Sequence, residues 1–129
     1  MNIEAHVLLV DDTSQTQKIL KKMLERIGCS VDTAENGREA LDMLKDQSFD
    51  LIFMDCEMPE MDGYDTTRHI RDHADHLANP NPIVIAITGN SQRGSREQCL
   101  HAGMNDYLCK PIDFHDLQMC VERWIELAA

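Results

Sequence analysis

At 129 residues and 14.7 kDa the chain has the length of one domain with one sizeable core. Twelve Lys and Arg against 23 Asp and Glu leave a formal net charge of −11, which repels phosphate backbones and argues against direct nucleic-acid binding, while suiting cations or a basic partner. Five cysteines, an odd number with no C-x-x-C pair, point to neither a disulfide framework nor a zinc knuckle and fit a reducing, cytoplasmic setting. The apolar runs are too short to cross a bilayer, and no basic-then-apolar leader opens the chain.

In chain order, short apolar runs alternate with longer stretches of helical period. His6 to Val10 reads as a strand that stops at two carboxylates, Asp11 and Asp12. Ser14 is placed to cap a helix with Ile19, Leu20, Met23, Leu24 and Ile27 on one face, which Gly28 ends. Ser30 to Thr33 is a short strand, weakly apolar as an edge strand is. Asn36-Gly37 turns the chain into a helix with Ala40, Leu41 and Leu44 inward. Asp50 to Met54 is continuously apolar at its centre, as a strand buried on both faces should be, and is followed by Asp55. A loop with Pro59 and Gly63 leads to a helix over about Thr66 to His76. Pro82 to Ile87 is a β-branched strand ending at Thr88-Gly89, and a helix from Ser95 to Ala102 stops at Gly103. Asp106 to Cys109 is a fifth strand ending at Lys110-Pro111, and a last helix runs from Phe114 to Leu127 with Leu117, Cys120, Val121, Trp124 and Ile125 inward.

Five such units make a (βα)5 chain, and right-handed crossovers put helices on both faces of an open parallel sheet. Ligands of such sheets bind beyond the carboxyl ends of the strands. The residues at those ends are Asp11 and Asp12, Asp55, Thr88 and Lys110, which are expected to converge on one edge. Each has a plainer reading alone: helix caps, a turn residue, a strand end, a surface lysine. Together, three carboxylates repel unless a cation intervenes, and hard oxygen ligands suit Mg²⁺. A metal and an ammonium beside a carboxylate make a site for a phosphoryl group, with a hydroxyl such as Thr88 donating to one of its oxygens and a carboxylate serving as nucleophile.

Four stretches carry a resemblance: Leu9-Val10-Asp11-Asp12, Phe53-Met54-Asp55-Cys56-Glu57-Met58-Pro59-Glu60-Met61-Asp62-Gly63, Ile85-Ala86-Ile87-Thr88-Gly89-Asn90 and Tyr107-Leu108-Cys109-Lys110-Pro111-Ile112. In order and spacing they resemble the receiver domain of the two-component response-regulator family over nearly the whole chain. The resemblance implies a flavodoxin-like fold with sheet order 2-1-3-4-5 over a single domain, 1–129. It implies Asp55 as phosphoacceptor. Mg²⁺ would be bound by Asp12, Asp55 and the backbone carbonyl of Glu57, with Asp11 close by, directly or through water. Lys110 would pair with the phosphoryl group, Thr88 would swing towards it, and Tyr107 would be an aromatic rotamer switch. The Lys110-Pro111 bond would be cis, as the small trans preference of X-Pro allows.

Cys56 after Asp55, together with Ala102-Gly103-Met104-Asn105-Asp106-Tyr107-Leu108, resembles receivers of hybrid sensor histidine kinases. That implies a phosphorelay with a histidine kinase or a histidine phosphotransfer domain as partner. The chain would be a single-domain regulator or one domain of a longer kinase, such as the cytoplasmic part of a membrane-bound sensor. It would catalyse its own phosphorylation and dephosphorylation without being an independent turnover enzyme. The surface of the fourth helix, fifth strand and fifth helix would respond, and the last two helices would offer a homodimer face. Gly89 stands where the family often has Ala; Glu57 and Asn90 flank the site at variable positions and would influence how long the phosphoryl group survives.

Rival readings are a Mg²⁺-dependent phosphatase with an aspartyl nucleophile, an FMN-binding flavodoxin, and a partner-binding module that is never phosphorylated. His69, His73 and His76 share a helical face, but with Arg68, Arg71, Asp72 and Asp75 around them they read as a solvated face rather than a zinc site. The cysteines read as small core residues, with Cys56 turned away from the nucleophile position by strand alternation.

Overall fold

Burial at every position of Leu51–Asp55 puts this strand at the centre of the molecule. The structure, a computed structural model, describes residues 5–89 and 95–128. The elements are β1 (His6–Val10), α1 (Ser14–Ile27), β2 (Ser30–Ala34), α2 (Gly37–Asp46), β3 (Leu51–Asp55), α3 (Gly63–Asp72), a single 3₁₀ turn at Ala74–His76, β4 (Ile83–Thr88), α4 (Ser95–Ala102), β5 (Asp106–Cys109) and α5 (Phe114–Ala128). The sheet order is β2-β1-β3-β4-β5 and every pairing is parallel. This is the flavodoxin-like arrangement expected from the strand pattern and the resemblance.

Alternation along the inner strands splits the core in two. Leu8, Val10, Ile52, Met54, Val84 and Ala86 face Ala40 and Leu44 of α2, Ile70 of α3 and Cys99 of α4. Val7, Leu9, Phe53, Ile85 and Ile87 face Leu20 and Leu24 of α1 and Leu117 and Val121 of α5. Both faces are covered, which is why β1, β3 and β4 read as continuous apolar runs.

Several boundaries differ from the sequence reading. Thr13, not Ser14, is the N-cap of α1, and its side chain makes no capping bond; Ser14 is the first helical residue. The helix expected over Thr66 to His76 begins earlier and ends sooner. Asp62 caps it by accepting the Asp65 N–H at 2.8 Å, so the first turn forms at Gly63. At the other end His73 leaves helical geometry, and the chain continues as the separate 3₁₀ turn. Gly28 ends α1 at φ 117, a left-handed conformation, with its N–H on the carbonyls of Leu24 and Glu25.

Two long-range ties fix the sheet to its helices. Arg71 of α3 donates to the Gly103 and Pro82 carbonyls and to Asn105 Oδ1, the last at 2.9 Å. Trp124 of α5 donates its indole N–H to Asp106 Oδ2 of β5 at 2.8 Å, while Asp106 Oδ1 accepts the Tyr107 N–H. Among the described residues no helix is long and apolar enough to cross a membrane.

Candidate functional site

Parallel register decides which strand ends meet. Val10 pairs with Met54, so the residues that follow, Asp11 and Asp55, lie side by side. Asp55 pairs with Ile87, and Thr88 pairs with Cys109, which brings Thr88 and Lys110 to the same edge. The carboxylates of Asp11, Asp12 and Asp55 each offer an oxygen within 4.8 Å of the others. Asp11 and Asp55 are buried, at 0% and 1% exposure, whereas Asp12 faces solvent. Lys110 Nζ stands 3.5 Å from Asp55 Oδ1 and 4.0 Å from Asp11 Oδ2.

Backbone geometry next to Asp55 is tight. Asp55 Oδ1 accepts the Glu57 N–H at 3.0 Å, and the chain then doubles back so that Gly63 N–H reaches the Cys56 carbonyl at 3.3 Å. A Cβ at Gly63 would collide with the Asp55 carbonyl, so only glycine lets α3 start this close to the β3 end.

The electrostatics are unbalanced. Burial, opposed by the Glu57 N–H and reinforced by the Asp11 charge, raises the Asp55 carboxyl from 3.8 to about 6. Burial also raises Asp11, against the Thr13 N–H and Lys110. Asp11 Oδ1 is satisfied by the Thr13 N–H at 2.8 Å. Its other oxygen is the one buried side-chain polar atom among the described residues without a hydrogen-bond partner, since the 4.0 Å to Lys110 is too long for one. An orphaned buried carboxylate oxygen beside two neighbouring carboxylates makes a donor set that fits a hard divalent cation.

Thr88 is buried, and its hydroxyl donates to Glu57 Oε1 at 3.4 Å. The same oxygen accepts the Gly89 N–H at 3.3 Å. Glu57 therefore spans from the β3 end to the β4 end with its carboxylate over the two donors. Tyr107 lies opposite Ala86 in the β4–β5 pairing, two residues back from Thr88, partly exposed and packed on the same core cluster as Tyr64. Asn90, the other flanking position, lies outside the described residues. Cys56 is buried in the α2–α3–α4 face of the core, and burial pushes its thiol to about 12, which leaves it protonated and unreactive at neutral pH.

One contributor was not singled out from the sequence. Gln17 of α1 donates its side-chain amide to the backbone carbonyls of Asp11 and Ala34, tethering the β1 and β2 ends to the helix. A glutamine on a helix face carries no sequence signal for such a contact.

A doubly wound parallel sheet with buried carboxylates and a lysine at its carboxyl edge defines a class of α/β domains with a charged site at the switch point. Within that class the profile of the response regulator receiver domain matches residues 7–122, and the chain belongs to this family, as a receiver domain of two-component phosphorelay signalling. It is 40% identical over 119 residues to hybrid signal transduction histidine kinase B of Dictyostelium discoideum, covering 86% of this chain and 6% of that protein. The chain spans only 6% to 16% of the length of the first curated relatives it matches. Among solved structures it is similar to the receiver domain of a Pseudomonas aeruginosa sensor histidine kinase that has a magnesium ion coordinated in its active site cleft. That match has a TM-score of 0.84 and 39% identity over 96% of this chain and 99% of that one. It is also similar to the receiver domain of a Saccharomyces cerevisiae response regulator co-crystallised with a histidine phosphotransfer protein, with a TM-score of 0.91 and 30% identity over all of this chain and 94% of that one.

Proposed function

We propose that Asp55 accepts a phosphoryl group from the phosphohistidine of a histidine kinase or histidine phosphotransfer protein. The observation that carries this reading is the meeting of three carboxylate oxygens within 4.8 Å beside the Lys110 ammonium. An Asp55 carboxylate oxygen attacks phosphorus as the nitrogen–phosphorus bond breaks, leaving an acyl phosphate on Asp55 and a free imidazole on the donor. Asp11, Asp12 and Asp55, with the Glu57 backbone carbonyl, would hold Mg²⁺. Bound there, Mg²⁺ supplies charge neutralisation for the phosphoryl oxygens. Lys110 faces the phosphoryl group, whose charge of about −1.5 to −2 replaces the single charge of the carboxylate. Thr88 exchanges its Glu57 partner for a phosphoryl oxygen. That exchange, with Tyr107 following, alters the surface of α4, β5 and α5, where Leu100 and Met119 stand exposed.

Incubation with acetyl phosphate and Mg²⁺, read by intact mass, tests the assignment. A gain of one phosphoryl group is expected, absent after chelation and absent in Asp55→Asn. The same gain in Asp55→Asn would overturn it.

Glu57 holds its carboxylate over Thr88 and Gly89 at the edge of the site, and we infer that it slows hydrolysis of the acyl phosphate by hindering or misorienting the attacking water. In Glu57→Ala the labelled phosphoform is expected to decay several-fold faster. An unchanged decay rate would remove Glu57 from this role.

A further inference from the structure

Three histidines gather where α3 ends, outside the acidic site at the carboxyl ends of the strands. His69 and His73 are one helical turn apart, exposed, with rings stacked at a centroid distance of 5.8 Å and 19° between planes. The His76 ring follows at 6.3 Å from His73. All three line one cavity of about 500 Å³, floored by Leu41 and Leu77 and rimmed by the exposed Lys45.

The tautomer of His73 is set by its partner. His73 Nδ1 lies 3.0 Å from the His69 carbonyl, and a carbonyl only accepts, so Nδ1 carries the proton. In the neutral ring with that tautomer, Nε2 is the nitrogen that keeps its lone pair. This is how a ligating imidazole is commonly prepared, with one nitrogen donating to a carbonyl and the other free to coordinate. His69 in the last turn of α3 and His73 at its C-cap are spaced i and i+4, the spacing that lets two histidines reach one ion. Asp72 and Asp75 flank them, and the chain's net charge of −11 favours cations throughout. Carboxylates dominate the site at the strand ends, whereas imidazoles dominate here, so the two clusters suit different metals.

We propose that His69 and His73 form a binding site for a borderline divalent transition metal of the Zn²⁺, Ni²⁺ or Cu²⁺ class, separate from the acidic cluster. Two protein ligands leave coordination positions for water or for a donor from another molecule. Because His73 is the C-cap of α3, a bound ion staples the last turn of that helix and stabilises the folded chain by linkage.

The probe is Zn²⁺ alone, titrated calorimetrically at pH 7.5 in saturating Mg²⁺ so that the carboxylate cluster is occupied. One equivalent is expected to bind. His69→Ala and His73→Ala should each weaken it by about tenfold or more. Zn²⁺ should shift the NMR resonances of both imidazoles in the wild-type chain and raise its thermal midpoint, with a smaller rise in either variant. Phosphorylation by acetyl phosphate should be unchanged in both variants. Absence of Zn²⁺ binding, wild-type affinity retained in either variant, or stoichiometric displacement of Zn²⁺ by Mg²⁺ would each overturn the proposal.

Discussion

Asp55→Asn is expected to make the metal-free domain more stable at pH 7, by about 1–3 kcal/mol, although it removes the residue around which the site is built. The reason is the company Asp55 keeps. It is 1% exposed, beside the buried Asp11, with one ammonium 3.5 Å away and one backbone N–H as compensation. Its folded value of about 6 exceeds the ordinary 3.8. Between those values the folded chain keeps a proton that the unfolded chain has released. The stability gained from that proton is complete below 3.8 and is lost as pH rises through about 6. At pH 7 the native state therefore carries a buried charge that the unfolded state carries in water. An asparagine of the same shape removes that cost.

Urea unfolding in EDTA across pH 4 to 8 checks this as a difference between wild type and variant, which cancels the other carboxylates. The difference should grow as pH rises through 6 and then level off. Added Mg²⁺ should raise the wild type more than the variant and narrow the gap, because the ion binds only the folded carboxylate set. A variant less stable than wild type at pH 7 in EDTA would remove the electrostatic account.

Lys110→Ala is expected to move two quantities in opposite directions. Phosphotransfer from a phosphohistidine should slow by about 10²-fold, the usual cost of deleting one group that meets developing charge on a transferring oxygen. Affinity for Mg²⁺ should rise several-fold, because the ammonium at 3.5 Å from Asp55 and 4.0 Å from Asp11 is a competing cation for the same carboxylates. A general loss of fold would weaken both, so the opposed signs separate the electrostatic role from damage. Calorimetric Mg²⁺ titration and a time course of label transfer give the two numbers. Unaltered transfer would take Lys110 out of the site.

The convergence of Asp11, Asp55, Thr88 and Lys110 was legible in the sequence because it follows from parallel direction alone. Strand ends share an edge whatever the loops do. The α3 boundaries were not. Asp62 as cap depends on the turn that brings the chain back from Pro59, and a capping aspartate among Glu60, Asp62 and Asp65 is not singled out by composition. The end of the same helix was placed too late because the apolar and polar alternation continues into the 3₁₀ turn. Contacts across 32 or 34 residues, such as those of Arg71 with Gly103 and Asn105, leave no local trace at either end. The Glu57 carboxylate was expected near the site, but its bonds to Thr88 and Gly89 depend on a side-chain direction that spacing does not supply.

The indole of Trp124 is the chain's only one, and it is tethered to the strand that also carries Tyr107. Any slide of β5 against α5 must stretch or break that tether before the helix can follow. The chain thus contains its own optical gauge, wired by one carboxylate to the start of the strand that leads to Lys110.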